Sequence, residues 1–219
     1  MATLWLYLHF PALQLDSLFQ SEPQPVQVSS AVSNNSSRQH SPAAQPLCLL
    51  DCSTLLIKQL SAAALQHGVK AGMTLSMASA LCHDLQVLPY QQEQELQYLQ
   101  QIAALMYQIS ADIALDPPAA IWLRIDPMLA LYAGLQPYLA TLKLQLSALQ
   151  LQYEFAVANT AAAAQLLCYH QPGLVSDNPK FIAATLQNCP LNLSQLRQTA
   201  AGQKVLQQLQ AVGITRVGQ

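Results

Sequence analysis

The chain has 219 residues, of which 52% are hydrophobic and 9% are charged, and its formal net charge at pH 7 is −2. Average soluble domains carry roughly 25% charged residues, so this chain has no broad basic surface, which argues against strong nucleic-acid binding by the chain alone. Its length and apolar content suffice for one large domain or two small ones with a real core.

Targeting signals and disulfides are also excluded by the sequence. The uncharged stretch over residues 155–176 is broken by Asn, Gln, His, Pro and Gly, so no membrane span is predicted. The first residues carry no positive n-region and no cleavage site, and we therefore expect a cytoplasmic protein. Five cysteines, an odd number at irregular spacing, predict reduced, mostly buried thiols and not a disulfide framework. No second pair of ligands has the spacing of a zinc site, so no metal site is predicted.

The first half of the chain predicts short strands, a hairpin and short helices. Residues 21–45 are rich in Ser, Pro, Asn and Gln and lack periodicity, so we expect an exposed, mobile loop. The other predicted elements are a strand over 3–9 that ends before Pro11, a hairpin over 47–50 and 54–58, helices over 61–67 and 75–82, and a strand over 85–88.

The second half predicts longer helices between strands. The elements are a helix over 91–109, strands over 112–115 and 119–125, a helix from 129 or 135 to 150, a strand over 153–158 and a helix over 160–170. From residue 85 on, the order β-α-β-β-α-β predicts a ferredoxin-like arrangement. After Gly173 the short pieces KFIAATL, LSQLRQ and GQKVLQQLQAVG predict the start of a small helical domain, part of a larger protein.

Motifs for nucleophilic catalysis and for phosphate binding are absent from the sequence. No G-x-S-x-G elbow occurs, and the seven glycines form neither G-x-G-x-x-G nor G-x-x-x-x-G-K. The arrangement that could hold catalytic carboxylates is a sheet with acids at adjacent strand ends, as two-metal phosphoryl transfer requires.

The order of these parts resembles the Y-family (UmuC-like) DNA polymerases. The shared pieces are an aliphatic strand followed by F-P, the segment AAALQHGVKAGM, the strand LQVLP, a long helix and a two-stranded tip that ends IWLRID, with GVKAGM (68–73) the most specific. Because of LHFPALQLDSL (8–18), the chain looks most like the catalytically inactive ImuB type. The resemblance covers most of residues 1–20 and 47–170, but not 21–45.

This resemblance implies a mixed α/β (α+β) fold. Residues 1–13 and 85–170 would form a ferredoxin-like palm, residues 14–84 a small fingers lobe with the mobile loop 21–45, and residues 171–219 the start of a helical thumb.

The resemblance also implies that the metal site is degenerate. The metal-binding Asp of the first strand falls at His9, the acid two residues later at Pro11, and the steric-gate aromatic near Leu13. The Asp-Glu pair of the tip hairpin falls at Ala119 and Ala120. Two methyl groups would thus replace two carboxylates, and we expect no metal, no cofactor and no polymerase activity.

The positions that bind the nucleotide in active relatives are altered as well. Their Tyr and Arg fall at Ala62 and Leu65, and the Lys of a K-P-x-G context falls at Gln171. The ImuB resemblance implies a scaffold in DNA repair and damage-induced mutagenesis. Its implied partners are an error-prone polymerase, the sliding clamp, a RecA-like protein and, weakly for this segment, damaged DNA. The elements that bind them would lie outside this chain.

Two other functions stay open at this point. An active translesion polymerase with misaligned acids predicts Asp116 or Asp126 within metal reach of the first strand. A ferredoxin-like interaction module without a link to DNA predicts that the fingers segment packs onto the sheet. In addition, QLDSLF (14–19) loosely resembles a clamp-binding peptide, but its place on a predicted helix favours a structural role.

Overall fold

The computed structural model describes residues 3–21, 45–191 and 200–218. They fall into two compact units: residues 1–10, 99–149 and 153–219 belong to the first unit, and residues 11–98 and 150–152 to the second. The strands are β1 (Trp5–His9), β2 (Leu47–Asp51), β3 (Leu56–Leu60), β4 (Gln86–Pro89), β5 (Asp112–Asp116), β6 (Ala120–Arg124) and β7 (Glu154–Ala158). The helices are α1 (Leu13–Ser21), α2 (Ala62–Gln66), α3 (Leu75–Leu81), α4 (Gln92–Met106), α5 (Leu135–Ala148), α6 (Ala161–His170), α7 (Pro179–Gln187) and α8 (Ala200–Ala211).

The first unit is built on a four-stranded antiparallel sheet in the order β5-β6-β1-β7. Its central strand β1 is aliphatic and aromatic, as strands buried on two faces are. Leu6, Tyr7 and Leu8 are fully buried, so both faces of β1 are covered. On the face of Tyr7, the alanine-rich side of α6 packs through Ala164 and Leu167.

The ferredoxin-like order is present, but its first strand is β1. The elements β1, α4, β5, β6, α5 and β7 give β-α-β-β-α-β, with the second unit inserted after β1. The sequence prediction assigned the first position to the strand after residue 85, and this was wrong. That strand, β4, pairs in parallel with β2 in the other sheet. Chain order alone could not reveal a pairing between strands so far apart.

The second unit contains a three-stranded sheet in the order β3-β2-β4. Ala64 of α2 and Ala78 of α3 pack in one apolar cluster with Cys48 and Ile57. Helix α2 begins at the predicted place because the Ser61 hydroxyl accepts a hydrogen bond from the Ala64 N–H.

A buried carboxyl group in the first part of α4, which belongs to the second unit up to Tyr98, connects this helix with β3 and α1. Glu95 of α4 is 1% exposed and accepts hydrogen bonds from the Tyr90 hydroxyl and the Gln59 side-chain amide. The Gln59 Oε1 in turn accepts the Leu15 N–H of α1 at 3.0 Å. Burial raises the pKa of Glu95, and its two donors and the charge of Lys58 oppose that rise.

The structure decides or changes several predicted boundaries. Helix α5 begins at Leu135, the second of its two predicted starts, because Ala133 (φ 57°) and Gly134 (φ 123°) leave the right-handed helical region just before it. Residues 22–44 of the predicted loop and the whole piece LSQLRQ lie outside the described residues. The second unit extends beyond the predicted fingers segment 14–84, and the described residues after 171 belong to the first unit. The assignment of segments to palm, fingers and thumb stays a prediction.

Candidate functional site

The end of the four-stranded sheet brings together the residues at which the resemblance places the metal site. On β1 and β6, His9 lies directly opposite Ala120, and the Phe10 N–H donates to the Ala119 carbonyl at 2.8 Å. Ala119 and Ala120 are 7% and 3% exposed. The structure thus places one imidazole and two buried methyl groups at this strand end.

Two acids lie in the same row of the sheet, on its outer strands. Asp116 of β5 pairs with Ala120, and Glu154 of β7 pairs with His9, so the row reads Asp116, Ala120, His9, Glu154. Adjacent strands are about 4.8 Å apart, and the backbones of the two acids are therefore about 14 Å apart. Among the described residues, no group of three His, Cys, Asp or Glu side chains has the geometry to hold a metal ion.

Asp116 approaches the first strand through a hydrogen-bond network. Its Oδ2 accepts from the Tyr7 hydroxyl at 2.7 Å and from the Gln165 Nε2 at 2.8 Å. The Tyr7 and Tyr169 hydroxyl oxygens are 2.9 Å apart. Burial raises the pKa of Tyr7, and the bonds to Tyr169 and Asp116 add to this effect. Tyr7 therefore stays protonated and acts as a donor to Asp116.

His9 also has partners in the folded protein. Its Nδ1 lies 3.4 Å from the Glu154 Oε2, and its ring meets that of Tyr169 edge to face at a centroid distance of 5.0 Å. Burial lowers the pKa of His9, while Glu154 and the charge of Asp116 oppose that change. The prediction of a satisfied histidine agrees with these contacts.

Asp126, the second acid of the active-polymerase alternative, lies at the other end of β1. Its Oδ1 accepts from the Leu4 N–H at 3.2 Å and from the Arg124 Nε at 3.0 Å. The Arg124 guanidinium holds the pKa of Asp126 below its usual range. Asp116 thus contacts β1 at Tyr7, its middle residue, whereas Asp126 contacts Leu4, which precedes the strand, so the two acids do not meet at one point of β1.

The positions expected at the nucleotide carry no cation. Ala62 and Leu65 lie on α2 and are exposed, Leu65 to 54%. Gln171 is the exposed C-cap residue of α6. Leu13, at the steric-gate position, is 1% exposed, whereas Pro11 is exposed.

The segment that resembles a clamp-binding peptide belongs to the second unit's core. Gln14 and Leu15 are 2% and 1% exposed. The Gln14 Oε1 accepts the Gln91 N–H at 3.0 Å. The side chains of Gln14 and Leu15 are therefore used in packing, which supports the structural interpretation.

Sequence reasoning missed the side chains that surround this strand end, namely Tyr7, Glu154, Gln165 and Tyr169. Tyr7 could have been found, because it lies two residues before His9 on the same face of a strand. The contacts of Gln165 and Tyr169 depend on how α6 packs on the sheet, and no local pattern reveals that.

The comparisons with known proteins agree with this architecture. The model of the impB/mucB/samB family matches residues 23–168, well over half of the chain. No curated protein matches the sequence. Within the described ranges, none of the helices combines the length and the apolar character needed to cross a membrane.

Solved structures of DNA polymerases share this fold. An insertion ternary complex of Dbh DNA polymerase has a TM-score of 0.70 at 13% identity. DinB from Sulfolobus solfataricus has a TM-score of 0.66 at 14% identity, and a Y-family DNA polymerase chimera that contains Dbh has 0.65 at 12%. Each match covers 97% of this chain and 58% of the other.

These likenesses confirm the expected fold, a mixed α/β arrangement with a ferredoxin-like sheet and a smaller lobe. This chain spans 58% of the length of those polymerases. With its family model and its fold in agreement, the chain belongs to the impB/mucB/samB family of UmuC-like, Y-family polymerase proteins.

Proposed function

We propose that this chain is the polymerase-like part of a non-catalytic scaffold protein in DNA damage tolerance and translesion synthesis. The observation that carries this proposal is the row at the sheet end, in which Ala120 and His9 occupy the two central strands and the neighbouring Ala119 offers only a methyl group. The family supports the link to translesion synthesis.

The chemistry of nucleotide joining gives the reason. Two divalent ions about 4 Å apart activate the attacking oxygen and stabilise the leaving group. Mg²⁺ binds carboxylate oxygens in near-octahedral geometry, and neither a methyl group nor a partly buried imidazole replaces them. The two acids of this row stand on its outer strands, and among the described residues no group of three His, Cys, Asp or Glu side chains could hold a metal ion.

The scaffold role itself follows the ImuB resemblance. The proposed partners are an error-prone DNA polymerase, the sliding clamp and a RecA-like protein at damaged DNA, in the cytoplasm. Because the chain spans 58% of its structural relatives, the surfaces that bind these partners are proposed to lie largely outside it.

A primer-extension assay tests the absence of catalysis. With a primed template, all four deoxynucleoside triphosphates and Mg²⁺ or Mn²⁺, we expect no extension by the purified protein. Dbh DNA polymerase under the same conditions is the positive control. Template-dependent incorporation that copurifies with the protein would contradict the proposal.

An active polymerase is the second candidate, and one contact favours it: the Asp116 carboxylate lies 2.7 Å from the Tyr7 hydroxyl on β1. It predicts incorporation that is abolished by Asp116→Asn. Asp84→Asn, an exposed acid of the second unit, is the matched control and should leave incorporation unchanged.

A further inference from the structure

Two side chains of α6 lie over the strand end that carries Ala120. Gln165 and Tyr169 are four residues apart and so share one face of the helix. The Gln165 Nε2 reaches the Asp116 Oδ2 at 2.8 Å on one side of Ala120. The Tyr169 ring meets the His9 ring at 5.0 Å on the other side.

The Tyr7 side chain contacts Asp116 and both of these α6 residues. Its hydroxyl oxygen is 2.7 Å from the Asp116 Oδ2, 2.9 Å from the Tyr169 hydroxyl and 3.3 Å from the Gln165 Nε2. Its ring also meets the Tyr169 ring edge to face at 5.8 Å. Tyr7 is fully buried, Gln165 is 2% exposed, and Ala120 beside them is 3% exposed.

We infer that Tyr7, Asp116, Gln165 and Tyr169, here called the cover, close this strand end against divalent cations and nucleoside triphosphates. The inference concerns the same site as the proposed function and rests on it for its meaning. It adds that hydrogen bonds close the site, in addition to the alanines at residues 119 and 120 that stand in place of two carboxylates.

The physical basis is the cost of parting these groups. To expose Ala120, Gln165 and Tyr169 must leave Asp116, His9 and Tyr7. The Tyr7 hydroxyl then loses two of its three neighbours and the Asp116 carboxylate loses the Gln165 amide, while the bond between Tyr7 and Asp116 is kept. The edge-to-face aromatic contacts are lost in the same step. A carboxylate restored at residue 120 would also lie beside Asp116 on the next strand, where like charges repel.

Thiol labelling tests the closure directly. Ala120→Cys introduces a small reporter at the strand end, and peptide mass spectrometry follows its reaction with iodoacetamide. We expect it to react about tenfold more slowly than the exposed Cys52, since only local opening exposes it. Adding Gln165→Ala and Tyr169→Ala should abolish this protection. Adding Tyr107→Ala, which removes a 60% exposed tyrosine of the same unit, should not.

Native thiols distinguish local from global opening and cover the case in which Ala120→Cys fails to fold. Cys168 of α6 and Cys189 are both fully buried in the first unit. In the otherwise unchanged chain, Gln165→Ala with Tyr169→Ala should speed the labelling of Cys168 and leave that of Cys189 slow. Equal acceleration of both would show global unfolding and overturn the inference.

Rapid labelling at residue 120 in the intact chain would also overturn the inference while leaving the proposed scaffold function untouched. Primer extension by the intact chain would refute the proposed function, whatever the labelling shows.

Discussion

Tyr7 shows how a single side chain can hold a strand, its neighbour and a helix together. Its ring packs 5.4 Å from that of Trp122 within the apolar cluster, while its hydroxyl contacts groups on β5 and α6. A buried tyrosine combines a large apolar surface with one polar atom that must find a partner. Here that atom has three neighbours, and its removal should be costly.

Tyr7→Phe should therefore destabilise the first unit. The change keeps the ring but removes the donor to Asp116, and we expect the free energy of unfolding to fall by about 1.5 to 3 kcal/mol. Urea unfolding followed by circular dichroism measures the loss. Tyr107→Phe, at an exposed position, should change it by less than about 0.5 kcal/mol. Equal effects of the two changes would show that the hydroxyl contacts contribute nothing.

His9 should make the folded protein sensitive to mild acid. Burial lowers its pKa below the ordinary 6.5, although Glu154 and Asp116 oppose the shift and Tyr169 packs against the ring. Below pH 6.5 the unfolded chain then binds more protons at this residue, so the free energy of unfolding falls as the pH falls.

His9→Gln removes this contribution. We expect the variant to lose less stability than the original protein between pH 7 and pH 5, as measured by urea unfolding at each pH. His67→Gln, at an exposed position, should retain the original slope. If the free energy of unfolding depends on pH in the same way for the original protein and for His9→Gln, the pKa of His9 is not lowered in the folded state.

The sequence predicts the backbone positions of this site well but predicts little of its chemistry. The resemblance places His9, Ala119 and Ala120 at one site, and these three residues meet at one strand end in the fold. The partners of Asp116 do not follow from the resemblance. They come from α6, a helix about 50 residues later in the chain, and only tertiary packing brings Gln165 and Tyr169 to the sheet.

Among the elements, α4 illustrates how a polar group can position a helix. Its Glu95 is buried against Gln59 of β3, which also binds the backbone of α1. Removing the carboxylate leaves two buried donors, the Tyr90 hydroxyl and the Gln59 amide, without their acceptor.

Glu95→Ala should accordingly lower the free energy of unfolding of the second unit by about 2 to 4 kcal/mol, through unpaired donors and a small cavity. Glu93→Ala, an exposed change in the first turn of the same helix, should alter it by about 0.5 kcal/mol or less. Chemical denaturation of both variants decides the matter. If Glu95→Ala leaves the free energy of unfolding unchanged, the two donors bind water in place of the carboxylate.

The elements themselves were largely predictable, whereas their pairing was not. A dense apolar run before Pro11 indicated the strand over residues 3–9, and helical composition that stops at Gly68 indicated the helix that follows Ser61. The four residues of β4, by contrast, are all exposed and form a short edge strand. Nothing in them indicates a parallel partner in β2, nearly 40 residues earlier.

For the molecule as a whole, the proposed lack of a metal site predicts that the metal ions and nucleotides bound by active polymerases do not stabilise the fold. A ligand present at a hundred times its dissociation constant stabilises a folded protein by about 2.7 kcal/mol, which raises Tm by about 5 to 11 °C for a chain of this size. We expect no such rise with Mg²⁺ or Mn²⁺ and a deoxynucleoside triphosphate. Differential scanning calorimetry measures it, and Dbh DNA polymerase is the control. A rise of that size would contradict the non-catalytic proposal.

The insertion of a whole unit between β1 and its partners also affects how the protein is made. On the ribosome, β1 is synthesised more than 100 residues before β6 and nearly 150 before β7. At 5 to 20 residues per second the strand waits about 7 to 30 s for its second neighbour. Throughout that interval the hydrophobic segment that becomes the centre of the sheet is an exposed, aggregation-prone stretch of nascent chain, available to chaperones.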